Sequence, residues 1–181
     1  MDEVTRLARA ARSGEPEAIA AVVRATRADV WGLAAHLVDP QAADDLVQET
    51  YLRALGALPR FRAAASGRTW LLSIARRTCM DELRARDRIR RRDRRVGATR
   101  RDAVVPDPAG VVGVRELLAR LDVDRRTAFV LTQVSGLSYA EAARVCGCPI
   151  GTIRSRVARA REELIAGLRD DDTGGYATGV S

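Results

Sequence analysis

A chain of 181 residues has room for one medium domain or two small ones, which excludes a multi-domain enzyme or a long repeat array. Its hydrophobic fraction of 46% permits a packed core, and no apolar run approaches the ~18 residues that a membrane span needs. All thirty-one basic residues are Arg against twenty-four acids, and the net charge of +7 favours a polyanionic partner.

Three cysteines imply no disulfide framework, and Cys146 and Cys148 are one residue apart rather than two. With His36 as the single histidine, the chain offers no zinc site and no acid, base and nucleophile constellation. No cofactor, no metal and no catalysis are expected. Met1 to Arg6 carries acids and no apolar stretch, so the expectation is a cytoplasmic protein without a leader or membrane insertion.

Helical periodicity dominates, which predicts an all-α fold. A short helix is expected over Glu3 to Arg12, and a second from Pro16 to about Val38. Asp39-Pro40 repeats the start signal for a helix reaching Leu55, closed by Gly56 and Pro59. On that helix Asp44, Asp45, Gln48 and Glu49 share one arc with Leu52 among them, while Leu46, Val47, Thr50 and Ala54 share another. An acidic face suits DNA poorly and, in a basic chain, fits a protein with a basic surface. After the loop from Phe61 to Gly67 comes a long helix, apolar at Trp70, Leu71, Ile74 and Ala75. Core packing is the expected role of Trp70.

Between Arg84 and Arg101 stand ten Arg and two Asp, a block that resists collapse. With Val105-Pro106-Asp107-Pro108 behind it, residues 87–110 are expected to form a basic linker between a first helical domain, 1–86, and a second, 111–168, the alternative for its first part, to about Arg92, being a charged extension of the preceding helix. Residues 169–181 are expected to be a disordered tail.

In the second domain, helices are predicted over Val114 to Leu121 and Asp124 to Val134. Ser138 and Glu141 then stand in capping-box register, and Pro149 opens a helix reaching about Leu168. Two helices joined by a Gly-containing turn are the sequence form of a helix-turn-helix. On its second helix Ile153, Val157, Ala160 and Leu164 make an apolar stripe. Thr152, Ser155 and Arg159 stand opposite, flanked by Arg154 and Arg156. Guanidinium forks and small hydroxyls can read base edges in the major groove, and Arg156 and Arg161 point toward its phosphate rims.

These residues fall into a pattern. Asp44-Asp45-Leu46-Val47-Gln48-Glu49, then Phe61, then Thr69-Trp70-Leu71-Leu72-Ser73-Ile74-Ala75-Arg76-Arg77, then Gly136-Leu137-Ser138-Tyr139-Ala140-Glu141 and Gly151-Thr152-Ile153-Arg154-Ser155-Arg156 follow in order. Together they closely resemble the extracytoplasmic-function sigma factors of the sigma-70 family, in particular the actinobacterial sigma-C-like group, over about residues 10 to 168. The resemblance implies a factor that binds core RNA polymerase, directs it to promoters and assists opening. It implies that Asp44, Asp45, Gln48, Glu49 and Leu52 dock on the β′ clamp helices, with the β flap as a second polymerase contact. It further implies that Phe61, Arg62, Ser66, Arg76 and Arg77 meet the melted minus-ten strand, one of whose bases is flipped into the loop. Thr152, Arg154, Ser155, Arg156 and Arg159 would then read the duplex minus-thirty-five element. Many members carry Asn where this chain has Arg77, so the minus-ten bases stay open. An anti-sigma factor, if the chain has one, would cover these same surfaces.

Two other readings use the same residues. A lone repressor or activator would self-associate on symmetric half-sites, and it leaves the acidic helix and the Phe61 loop without a role. An interaction protein using only its Arg tract would bind polyanions without sequence preference and with steep salt dependence.

Overall fold

The computed structural model describes residues 2–95 and 112–174, and every regular element among them is helical. The order is α1 (Glu3–Ala10), a 3-10 turn (Ala11–Ser13), α2 (Pro16–Leu37), α3 (Pro40–Ala57), a second 3-10 turn (Leu58–Arg60) and α4 (Gly67–Arg95). The second unit holds α5 (Val112–Arg120), α6 (Val123–Phe129) with a π turn (Val130–Val134), α7 (Tyr139–Cys146) and α8 (Ile150–Gly174).

Helix starts are set locally. Asp39 caps α3, its carboxylate accepting from the Ala42 amide at 2.7 Å, with Pro40 in the first turn. Ser138 and Glu141 form the expected capping box on α7, and Gly147, at φ +66°, ends that helix in the left-handed region. The helix that begins with α6 does not stay regular to Val134. Its last turn widens, so that the Ser135 amide reaches back five residues to the Val130 carbonyl at 2.8 Å.

In the first unit α2 and α3 pack together and α4 lies across both. Val30, Leu33, Leu46, Val47, Tyr51, Leu71, Leu72 and Ala75 are buried there, and the Tyr51 hydroxyl shares a 2.8 Å hydrogen bond with Thr26. In the second unit Leu131, Ala142, Val145, Ile153 and Val157 are buried where α6 and α7 pack on α8. These two sets belong to one apolar cluster, because α4 packs against α7 and α2 against α5, α6 and the π turn. A smaller cluster of Ala8, Ala11, Val22, Leu58 and Phe61 sits under α1.

Two expected boundaries move. α4 continues to Arg95, so residues 87–95 of the expected linker are helical. Arg has good helix propensity, and the pairs Arg86–Glu82 at 2.6 Å and Arg91–Asp87 at 2.8 Å support successive turns. α8 runs past Leu168 to Gly174, into the expected tail. The rest of the linker, 96–111, and of the tail, 175–181, lie outside the described residues.

Asp39 also pairs with Arg86 of α4. Burial raises its carboxyl, but hydrogen bonds from Arg86 and the Ala42 amide, with the Arg86 charge, outweigh burial and hold it below its ordinary value. A carboxylate lowered on folding contributes stability that is complete above its unfolded pKa of about 3.9 and fades as pH falls through the lowered value. Asp39→Ala should therefore destabilise the protein by about 1–2 kcal/mol at pH 7 in urea unfolding, with the difference from the parent shrinking below about pH 4.

Candidate nucleic-acid interface

On α8 the apolar stripe faces inward, with Ile153, Val157 and Ala160 at most 1% exposed. That burial fixes the helix rotation and turns Arg154, Ser155 and Arg159 to solvent, with Thr152 half-buried beside them. Arg156 departs from this set. It pairs with Asp124 of α6 and lies 3.8 Å from the Cys148 thiol, both within its own unit. Arg161, expected at the groove edge, donates to Gln133 at 2.7 Å.

The α3 face follows its helical arcs. Leu46, Val47, Thr50 and Ala54 are buried, while Asp44, Asp45 and Gln48 are exposed and Glu49 is half-buried. Leu52 stands on the same arc, 60% exposed. Arg27 pairs with Asp44 at 3.1 Å, and Arg53 bridges Glu49 and Asp81 at 2.7 and 2.6 Å.

Between the loop after α3 and the start of α4 lies a cup of about 220 Å³ lined by Arg60, Phe61, Arg62, Ala63, Ala64, Ala65, Thr69, Trp70, Ser73 and Arg144. Its floor is apolar. Phe61 is 4% exposed, its ring centroid 4.9 Å from that of Trp70. Phe61 is thus core material under the cup rather than an exposed stacking platform, because the α1 cluster closes over it. Trp70 is half-buried and forms a wall as well as core. Ser66 caps α4, accepting from the Thr69 amide at 3.1 Å and donating to the Thr69 hydroxyl at 2.9 Å. Ala63 holds φ +54°, a conformation that disfavours a Cβ by roughly 1–2 kcal/mol and concentrates at functional loops. Arg62 is exposed at the cup, and Arg77 lies along α4, bonded to the Ser73 carbonyl at 3.1 Å.

The cup residues Arg60, Thr69, Ser73 and Arg144 escape the sequence-based set. Thr69, Ser73 and Arg77 follow one another at four-residue spacing on one face of α4, a signal that periodicity contains. Arg144 comes from α7 of the other unit, and nothing local announces it.

The two units meet along a seam rich in guanidinium groups. Arg68 clasps Asp29 with two bonds of 2.6 and 2.7 Å and donates to the Ser135 carbonyl at 2.6 Å. Arg126 donates to the Leu37 carbonyl at 3.0 Å. Arg76, only 17% exposed, lies 3.6 Å from Asp124, which also holds Arg156. The Nε atoms of Arg76 and Arg126 are buried and find no hydrogen-bond partner among the described residues. Cys146 stands in this seam, and burial pushes its thiol up to about 11, while burial in α4 pushes Cys79 to about 12. Among the described residues no group of three His, Cys, Asp or Glu could hold a metal ion, and no helix is long and apolar enough to cross a membrane.

Comparison with known proteins matches two separate stretches of the chain. Residues 22–89 match the Sigma-70 region 2 family and residues 112–164 the Sigma-70, region 4 family. The chain is 47% identical over 180 residues to the probable RNA polymerase sigma-C factor of Mycobacterium bovis and to the ECF RNA polymerase sigma factor SigC of Mycobacterium tuberculosis, with 96% of each partner covered. Its fold is similar to that of CnrH in complex with the cytosolic domain of CnrY, at TM-score 0.75 and 29% identity, covering 94% of this chain and 99% of that one. It is also similar to the sigma factor RpoE of Bartonella quintana in complex with the anti-sigma factor NepR, at TM-score 0.64 and 31% identity, covering 81% and 94%.

Asp124 links guanidinium groups from both units, so Asp124→Ala should loosen the seam by about 1–3 kcal/mol. Small-angle X-ray scattering should then show a larger radius of gyration than for the parent. An unchanged radius would mean that closure does not depend on this carboxylate.

Proposed function

The chain belongs to the extracytoplasmic-function (ECF) RNA polymerase sigma factors, and from that premise we propose how its surfaces divide the work of promoter recognition. α3 docks on core polymerase through Asp44, Asp45, Gln48, Glu49 and Leu52. α8 enters the major groove of the minus-thirty-five element with Thr152, Arg154, Ser155 and Arg159 toward base edges. The cup at Arg62 receives a flipped base of the minus-ten non-template strand, with Phe61 and Trp70 as apolar floor and Ser73, Ser66 and Arg77 near its polar rim.

The segregation of exposed side chains supports this most strongly. Acids and two exposed leucines, Leu52 and Leu55, gather on α3, while guanidinium groups and hydroxyls gather on α8 and around the cup. A polyanion is repelled from the first face and drawn to the other two. An apolar cup with a cationic rim suits a nucleobase on its phosphate chain, offsetting the few kcal/mol, roughly, of stacking that a flipped base loses.

The protein performs no reaction of its own in this scheme and acts in the cytoplasm. Single-strand capture pulls the melting equilibrium toward the open state by binding energy alone. Arg76 pairs with Asp124 of the other unit, so its use on DNA entails parting the two units, with polymerase docking holding the halves open, whereas Arg156 need only leave Asp124 within its own unit. A protein covering α3 or the cup would block the same steps, and an anti-sigma factor is the partner class that RpoE holds.

Arg159→Ala should weaken binding to a recognised promoter duplex by about 1–3 kcal/mol in competition titrations. An equal loss on unrelated DNA would make Arg159 a phosphate contact. Gln48→Arg combined with Glu49→Arg should abolish association with core polymerase and run-off transcription, while minus-thirty-five duplex binding by the full chain persists. Transcription that survives both changes would remove α3 from the docking surface.

A further inference from the structure

Two of the segments that line the cup rest on the same short helix. One segment is the loop after α3, whose Phe61 packs in the cluster of Ala8 and Ala11 at the end of α1. The other is the first turn of α4, which supplies Thr69, Trp70 and Ser73. Gly67 opens that turn, and the first amide of a helix has no acceptor within its own helix. Ser66 caps the amide of Thr69, and the Ser66 carbonyl accepts from Trp70 at 2.9 Å. The Gly67 amide crosses instead to α1, donating to the Thr5 hydroxyl at 2.7 Å.

Thr5 is 4% exposed, and its hydroxyl is used in both directions. It accepts from Gly67 and donates to one Asp2 carboxylate oxygen at 2.6 Å. The other Asp2 oxygen caps α1 by accepting from the Thr5 amide at 2.9 Å. Approach of the two backbones is close enough to require glycine. A Cβ at position 67 would lie 2.8 Å from the Val4 carbonyl oxygen and 2.9 Å from the Thr5 nitrogen, both main-chain atoms that cannot swing away.

We propose that α1 is the positioning element of the strand-capture cup, and that Thr5 is the residue through which it sets the start of α4 against the loop. Valine at position 5 keeps the shape of threonine but leaves the Gly67 amide buried without an acceptor, so α4 shifts to find one and the Thr69–Ser73 wall moves relative to Phe61. A preorganised cup binds a flexible strand with less ordering cost, and that advantage is what the shift removes. This inference rests on the cup being the single-strand site, and its test separates the two.

The measurement uses holoenzyme reconstituted from the full chain and core RNA polymerase, titrated with the fluorescent non-template minus-ten strand of a promoter that it opens. Thr5→Val should weaken binding of that strand about tenfold, with affinity for core polymerase and for minus-thirty-five duplex within about twofold of the parent, and Thr5→Ser should restore it. Gly67→Ala, which pushes α4 off α1 by a different route, should reproduce the Thr5→Val pattern. Parent-like strand binding by Thr5→Val, when Arg62→Ala and Ser73→Ala lose it, overturns the positioning role and leaves the cup standing. Strand binding that survives Arg62→Ala and Ser73→Ala overturns the cup, and the positioning role with it. A Thr5→Val loss shared equally by core and duplex binding, or unrescued by serine, reduces Thr5 to a fold-stability residue and also overturns the proposal.

Discussion

One continuous apolar seam between two helical units governs how this chain is arranged. Val30, Leu33, Leu72 and Ala75 of the first unit lie in the same buried cluster as Leu131, Leu137, Ala142 and Val145 of the second. Withdrawal of those faces from water draws the halves together, but hydrophobic attraction has no direction. Direction comes from guanidinium groups at the rim. Arg126 reaches the Leu37 carbonyl at the end of α2, where a helix leaves acceptors unused, and Arg68 reaches the Ser135 carbonyl just after the π turn. Each bond ties a side chain of one half to the main chain of the other, which fixes the angle at which they meet.

The same seam is imperfectly satisfied. Buried Nε atoms of Arg76 and Arg126 face no acceptor among the described residues, and a buried donor left unpaired costs about 1–3 kcal/mol. Asp124 serves two cations at once and compensates only part of their charge. Closure therefore gains from apolar burial and loses at its polar edge. The acidic arc of α3 and the outward face of α8 do not depend on this balance, since both are exposed with the halves together.

Much of the fold was legible because its signals are local. The Asp39-Pro40 start, the Ser138–Glu141 box and the inward stripe Ile153, Val157 and Ala160 are each written within a few residues. The α3 arcs were legible for the same reason, since burial of Leu46, Val47, Thr50 and Ala54 dictates what faces out. What escaped was long-range or contrary to composition. Periodicity says that α4 and α7 have apolar faces but not that they meet, so Arg76 reads as a DNA contact although it turns into the seam, and Arg156 reads as one although Asp124 of α6 holds it. Phe61 reads as a loop aromatic available to the melted strand until Ala8 of α1, from a distant part of the chain, packs against it. The Arg block reads as linker, yet intrahelical pairs with Glu82 and Asp87 carry α4 to Arg95.

The half-buried thiol of Cys146 has a practical consequence. Burial pushes its ionisation up to about 11 against the opposing charges of Arg76 and Arg156, so it stays largely protonated at neutral pH. Maleimide or iodoacetamide would react there faster when the halves separate than when they are closed. The native chain thus carries a chemical stopwatch for its own opening, readable by mass spectrometry without an engineered label, with Cys79 inside α4 as the clock for global unfolding.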